Sequence, residues 1–141
     1  MGFMIKVDTN GNHPDHLERL ITDELVDYVA MDVKNSPEKY GEIIGLSGFD
    51  TSNVDRSIHI LLLDRVEYEF RTTVIKQFHN EDSFEKIGEW IRGAKRYYLQ
   101  SFVDRDMVPF AGLSACSPDE MKTFREIMKK YVISAELRGV E

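Results

Sequence analysis

Short β-rich runs alternate along this chain with stretches whose apolar residues recur every three or four positions. The β-rich runs are bounded by clusters of turn formers, and the longest of them alternates apolar and polar residues throughout. A Ser-Pro-Asp-Glu sequence at Ser117 supplies the capping box of a last helix. Strands are predicted at Phe3–Asp8, Val26–Val33, Val66–Ile75, Lys95–Phe102 and Tyr131–Leu137, and helices at about Pro14–Glu24, Pro37–Gly45, Thr51–Asp64, Glu81–Arg92 and from Pro118 onward.

Strands that are separated by helices indicate right-handed βαβ units. The predicted fold class is therefore α/β, a mainly parallel sheet of about five strands in one domain over residues 1–141. The chain contains no repeat, no low-complexity segment and no interdomain linker. Doubly wound sheets and pieces of (β/α) barrels share this pattern, so both architectures stay open.

The strands are less apolar than those of a parallel sheet covered on both sides. In the third strand Glu67, Glu69, Arg71 and Thr73 share one face, so we expect helices on one sheet face and charges on the other. Ligands of α/β proteins bind beyond the carboxyl ends of the strands. The alternative is a solvated face with ion pairs such as Asp32–Lys34 or Glu69–Arg71. The polar residues predicted at those strand ends are Asp8, Asp32, Lys34, Arg71 and Gln100.

Composition narrows the function classes. With 18 Lys and Arg against 25 Asp and Glu, the net charge of −7 disfavours nucleic-acid binding. The chain shows neither a membrane-spanning apolar run nor a signal-peptide pattern, so a cytoplasmic location is expected. The single cysteine, Cys116, excludes a disulfide within the chain and a cysteine-only zinc site.

Common catalytic and binding motifs are missing. The sequence has no GxGxxG, no P-loop lysine and no GxSxG. A calcium loop beginning at Asp8 fails because His13 and Arg19 stand where glycine and glutamate are required. No histidine spacing indicates a metal site, and we expect all four histidines to lie at the surface: His13, His16, His59 and His79.

Four strand segments, taken in order, carry a family resemblance. They read VDTNG, VDYVAMDVK, YEFRTTV and YLQSF, at Val7–Gly11, Val26–Lys34, Tyr68–Val74 and Tyr98–Phe102. Together they resemble the C-terminal half of a radical S-adenosylmethionine activating enzyme. The nearest group is the anaerobic ribonucleoside-triphosphate reductase activating proteins, with the pyruvate formate-lyase activating enzymes as relatives.

The resemblance implies a partial (β/α) barrel, of which these strands are the third to sixth. Members of the family bind a 4Fe-4S cluster and S-adenosylmethionine, receive an electron from a donor, and form a 5′-deoxyadenosyl radical that abstracts hydrogen from a glycine of a partner enzyme. It implies that Asp32 and Lys34 contact the ribose and methionine portions, and that Gln100 and Phe102 lie near the adenine. The implied cofactor-binding residues are Asp8, Asn10, Asp32, Lys34, Arg71, Thr73, Gln100 and Phe102.

Two departures from the family matter. The CxxxCxxC loop that holds the cluster and the Gly-Gly-Glu segment that receives the amino group of S-adenosylmethionine are both absent. We therefore expect a C-terminal fragment that lacks the cluster-binding strands, cannot bind the cluster and is catalytically inactive. Its first strand would be an open sheet edge that favours self-association. The alternatives are a stand-alone, non-catalytic module that binds a small ligand at the strand ends, or a docking surface for a partner protein.

Overall fold

The computed structural model describes residues 3–103 and 112–140. A short 3-10 turn at Pro37–Lys39 precedes the second helix. The strands are β1 (Lys6–Thr9), β2 (Tyr28–Asp32), β3 (Glu67–Val74), β4 (Arg96–Ser101) and β5 (Ser134–Arg138), and the helices are α1 (Pro14–Thr22), α2 (Tyr40–Ile44), α3 (Ser52–Leu62), α4 (Glu81–Trp90) and α5 (Pro118–Met128).

The five strands form one parallel sheet in the order β1-β2-β3-β4-β5. Each strand therefore pairs with its successor along the chain, and the order never reverses as it does in a doubly wound sheet. When every connection between parallel strands is a right-handed crossover to the next strand in the same direction, the crossover helices lie on one face of the sheet. The predicted parallel α/β sheet is confirmed, and of the two architectures left open it is the arc of a (β/α) barrel.

The core lies between the sheet and this single helical layer. Val29, Phe70 and Leu99 point from neighbouring strands into it and are fully buried. Each such side chain contributes roughly 1.5–3 kcal/mol relative to exposure. The helices supply the opposing surface through Val54, Ile58, Leu61, Phe84, Ile87, Met121, Phe124 and Met128.

Helix starts follow the capping signals. The predicted box at Ser117 forms: its hydroxyl accepts from the backbone N–H of Glu120 at 3.1 Å, and the Glu120 carboxylate accepts from the Ser117 N–H at 2.9 Å. Asn80 and Ser83 make a second box at the start of α4. Both boxes satisfy backbone donors that the first turn of a helix leaves unpaired.

Most predicted strand boundaries differ from the observed ones by one or two residues, and two strand starts are wrong by three residues. β1 begins at Lys6, three residues after the predicted start, although the Ile5 carbonyl still accepts from the backbone N–H of Asp27 at 2.8 Å. β5 begins at Ser134 because Tyr131 and Val132 donate their backbone N–H to the Met128 carbonyl and thereby complete the end of α5. The predicted loop over residues 103–116 lies largely outside the described residues.

In the part of the chain that the structure describes, no helix is long and apolar enough to cross a bilayer.

Candidate ligand site at the carboxyl ends of the strands

A cavity of about 440 Å³ opens where β2, β3 and β4 end, and α2 and the segment after β4 complete its lining. Its wall combines charged and polar groups from the strands with apolar side chains from α2 and from the segment after β4. This composition is typical of a small-molecule site, in which a few polar groups orient a ligand within an apolar wall. The lining residues are Asp32, Val33, Lys34, Ile43, Ile44, Arg71, Thr73, Ile75, Gln100, Ser101, Phe102 and Val103.

Arg71 connects the ends of three strands. Its Nε lies 2.6 Å from Oδ1 of Asp32, its register neighbour on β2, and its Nη1 lies 3.6 Å from Oδ1 of Asp8 on β1. Burial lowers the pKa of Arg71, but the hydrogen bond and charge of Asp32, with the charge of Asp8, raise that pKa overall. The pair is only partly shielded, since the Arg71 and Asp32 side chains are 26% and 37% exposed.

A second charged pair lies on the open face, away from the cavity. Glu69 is only 2% exposed, accepts from the Tyr28 hydroxyl at 2.8 Å, and lies 3.1 Å from Nη1 of Arg138 on β5. The Arg138 guanidinium also stacks on Tyr98, 3.5 Å from the ring centroid. Burial and the neighbouring Glu69 together raise the pKa of Tyr28 to about 12, so this hydroxyl stays a donor.

These contacts correct the ion pairs named as examples in the sequence analysis. Asp32 pairs with Arg71 and not with Lys34, and Glu69 pairs with Arg138 and not with Arg71. Residues i and i+2 share a face, but other strands bring closer partners: β3 is adjacent to β2, and β5 lies two strands from β3. The Arg138 partner was missed because the fifth strand was predicted to end at Leu137, one residue too early.

Six of the eight predicted cofactor-binding residues line the cavity. Asp8 does not line the cavity, but its carboxylate contacts the guanidinium of Arg71, which does. Asn10 lies in the turn after β1, where its side chain accepts from the backbone N–H of Asn12 at 3.0 Å. The assignment of these residues to S-adenosylmethionine stays a prediction. The six that the structure brings together are Asp32, Lys34, Arg71, Thr73, Gln100 and Phe102.

The expectation that all four histidines lie at the surface is wrong for His79, which is 5% exposed. Its Nε2 lies 2.8 Å from the Lys34 carbonyl oxygen, which can only accept, so Nε2 carries the hydrogen. Nδ1 then accepts from the backbone N–H of Ile75 at 3.0 Å. Burial lowers the pKa of His79, in keeping with a neutral ring. The other three histidines are exposed.

The described residues do not fit an iron–sulfur cluster. Such clusters are held by several thiolates, and this sequence has one cysteine, Cys116. That thiol is buried, and burial raises its pKa, which disfavours the thiolate form that binds metal. Residues 3–103 and 112–140 contain no group of three or more His, Cys, Asp or Glu side chains arranged to hold a metal ion.

Comparison with known proteins identifies a solved structure that shares this fold. No family model matches the chain. A crystal structure of a domain of pyruvate-formate lyase-activating enzyme from Bacteroides vulgatus ATCC 8482 shares the fold, with a TM-score of 0.73 at 15% identity over 98% of this chain and 83% of that one. The parallel barrel arc is thus a fold used by an activating-enzyme domain.

Sequence similarity gives the relationship. The chain is 32% identical over 144 aligned positions to a curated glycyl-radical enzyme activating enzyme of Methanocaldococcus jannaschii. The alignment covers 99% of this chain and 60% of that relative, so the chain spans about three fifths of the relative's length. This similarity to one such activating enzyme confirms the resemblance carried by the four strand segments of the chain.

Proposed function

We propose that the cavity at the carboxyl ends of β2, β3 and β4 is part of the S-adenosylmethionine site of a glycyl-radical enzyme activating enzyme. The observation that carries this proposal is the placement of Asp32, Lys34 and Arg71 around one open cavity. They are charged residues at strand ends in a chain homologous to such an enzyme. Ligands of parallel α/β folds bind at this edge of the sheet.

The lining suits the chemistry of this ligand. The Asp32 carboxylate can accept hydrogen bonds from ribose hydroxyls, and the Lys34 ammonium can pair with the methionine carboxylate. Ile43, Ile44 and Phe102 offer an apolar wall for the adenine ring. These residues bind and orient the ligand in the proposal.

The activity of the intact protein is the wider part of the proposal. The M. jannaschii relative is named as an enzyme that activates a glycyl-radical enzyme. We propose the same role for the intact protein, with a glycyl-radical enzyme and an electron donor as partners. Since Cys116 alone cannot hold a cluster, the thiolates for it would come from outside this sequence, and the chain by itself would be inactive.

Calorimetric titration of the full chain with S-adenosylmethionine tests the site. We expect weak binding, in the micromolar range or weaker, because one wall of the ligand would be uncovered. Reversing charge with Lys34→Glu should abolish the heat of binding, whereas Lys86→Glu on the exposed surface of α4 should leave it unchanged. Equal affinity in both variants would place the ligand elsewhere, and submicromolar affinity would contradict an incomplete site.

A second candidate, a docking surface for a partner protein, is favoured by the cross-strand charges of the open face. Charge reversal at Asp32 separates the two functions. A ligand site loses affinity for S-adenosylmethionine, while a docking surface loses only protein association. The docking function is correct if Asp32→Lys leaves the affinity for S-adenosylmethionine intact but abolishes association with the partner protein. That partner would be the cluster-binding part of an activating enzyme or a glycyl-radical enzyme.

The edge of the sheet at β1 supports a proposed self-association. Within the described residues β1 pairs only with β2, and the residues before it, Phe3, Met4 and Ile5, are exposed, Phe3 to 92%. An unpaired strand edge with apolar neighbours is a template for a second copy. Light scattering should show dimers or larger species as concentration rises, and Ile5→Lys should reduce them. A monomer at all concentrations would contradict this.

A further inference from the structure

The chain leaves the sheet at Asp32, yet the next two residues remain held by hydrogen bonds. The Val33 carbonyl accepts from the Thr72 hydroxyl at 2.6 Å. The backbone N–H of Lys34 donates to the Tyr40 hydroxyl at 3.1 Å, and its carbonyl accepts from Nε2 of His79 at 2.8 Å. The backbone N–H of Val33 still donates to the Arg71 carbonyl of β3 at 2.8 Å, so Lys34 is the first residue whose two backbone groups are both held by side chains.

His79 connects two walls of the cavity. Its Nε2 holds Lys34 at the end of β2, and its Nδ1 holds Ile75 at the end of β3. Both of those residues line the cavity, whereas His79 is not among the lining residues. Its ring packs against Phe84 of α4, with 5.7 Å between the ring centroids.

Asn35 reinforces the same connection. It is fully buried, and its Nδ2 donates to the Phe78 carbonyl at 3.1 Å. Its Oδ1 accepts from the backbone N–H of Ser36 at 2.8 Å. The Asn35–Phe78 hydrogen bond and the His79–Lys34 hydrogen bond therefore both join the segment after β2 to the segment after β3.

We propose that His79, supported by Asn35, is a positioning residue that fixes Lys34 and thereby the placement of its ammonium group in the cavity. The inference rests on the proposed S-adenosylmethionine site. A lysine side chain has four rotatable bonds, and ordering all of them costs conformational entropy. Fixing the backbone of Lys34 restricts where its ammonium group can reach without that cost. A second-layer residue of this kind orients a ligand-binding group without contacting the ligand.

The chemistry of the imidazole makes the role specific. A neutral ring with hydrogen on Nε2 donates to Lys34 and accepts from Ile75 at once. His79→Phe keeps a planar ring beside Phe84 but removes both hydrogen bonds. His79→Gln can keep the donor to the Lys34 carbonyl, so it is the conservative variant that should recover part of the function.

A double-mutant cycle tests whether His79 acts through Lys34. S-adenosylmethionine affinity is measured by calorimetry for the full chain and for His79→Phe, Lys34→Met and the double variant. We expect His79→Phe to weaken binding about five- to tenfold, because Lys34 loses the hydrogen bond to its carbonyl, and to have no further effect once Lys34→Met is present. His79→Gln should recover part of the loss, and His59→Phe on the exposed side of α3 should change nothing.

The outcomes separate this inference from the proposed function. If the unmodified chain binds and His79→Phe weakens binding equally with and without Lys34→Met, His79 stabilises the fold only, and the inference is wrong. If the unmodified chain does not bind, the proposed site fails. Backbone ¹⁵N relaxation over residues 33–36 then decides whether His79 orders Lys34. Increased motion in His79→Phe but not in His59→Phe supports that ordering, and unchanged motion overturns it.

Discussion

The two faces of this sheet are made by alternate residues of the same strands, yet they differ in almost every physical respect. On the helix-covered face Val29, Phe70 and Leu99 are fully buried among apolar neighbours. On the open face Arg71 is paired with Asp32 on the adjacent β2, and Glu69 is paired with Arg138 on β5, two strands away. One face excludes water from a continuous core, and the other holds charge at defined positions.

The comparison separates what stabilises the fold from what the fold presents. Apolar burial is the dominant favourable term in folding. A partly exposed pair such as Arg71–Asp32 contributes only about 0–1 kcal/mol, because water screens it. The charges at the strand ends are thus poorly explained as stabilising elements. Contacts to a charged and polar ligand would explain why these charged residues lie at the strand ends.

The largest expected effect is on the helix-covered face. Phe70→Ala should lower the free energy of unfolding by about 3–5 kcal/mol, since a fully buried ring leaves a cavity that its neighbours cannot fill. Urea denaturation measures the loss. Thr73→Ala, on the open face of the same strand, should change stability by less than about 0.5 kcal/mol. Similar losses in both variants would contradict the difference between the faces.

Glu69 is the exception on the open face, because it is buried. Glu69→Gln should lower the free energy of unfolding by about 1–3 kcal/mol, since Arg138 loses its counter-charge while the Tyr28 hydroxyl keeps an acceptor. The matched control is Glu67→Gln, whose carboxylate is 55% exposed and pairs with Arg96. A cost for Glu67→Gln equal to that for Glu69→Gln would show that burial does not distinguish the two pairs.

His79 makes the stability of the site region depend on pH. Burial first, and then the charge of Lys39, lower its pKa below the ordinary value of 6.5. Hydrogen bonds that the protonated ring would donate to the Lys34 and Ile75 carbonyl oxygens oppose this shift. The unfolded chain therefore binds the proton more readily, so stability is complete above pH 6.5 and falls as pH decreases toward the lowered pKa. Each unit of difference between the two pKa values corresponds to about 1.4 kcal/mol.

The measurement is the free energy of unfolding between pH 7.5 and 5 for the unmodified chain and for His79→Gln. The variant should lose the part of the slope that belongs to His79, and the exposed His59→Gln should keep it. Identical slopes in the unmodified chain and His79→Gln would mean that the pKa of His79 is the same in the folded and the unfolded chain, so that burial does not hold the ring neutral.

The smallest effect on stability should come from the cavity itself. Asp32→Asn should change the free energy of unfolding by less than about 1 kcal/mol, because its partner Arg71 remains partly hydrated. Affinity for S-adenosylmethionine should fall by about tenfold, since a neutral amide is a weaker acceptor than a carboxylate. If Asp32→Asn lowers the free energy of unfolding but keeps the affinity for S-adenosylmethionine, Asp32 stabilises the fold and does not bind the ligand.

The alternation of residues predicted both faces because a strand has period two, and a one-residue shift would turn every side chain over. Arg71 and Asp32 could be assigned to one face in this way, but their direct contact depends on the register between β2 and β3, which one sequence does not reveal. His79 was misjudged for a related reason. It follows β3 without any periodicity, and its burial results from packing against the end of β2 and against Phe84.

NMR titration of the ¹⁵N-labelled full chain with S-adenosylmethionine tests the central claim most directly. The account predicts chemical-shift changes that concentrate at the ends of three strands, while β1 residue Lys6 and the exposed surface of α4 stay unchanged. Absence of any change at millimolar ligand, or changes confined to the helical layer, would contradict the proposed site. The segments expected to respond are residues 32–34, 71–75 and 100–103.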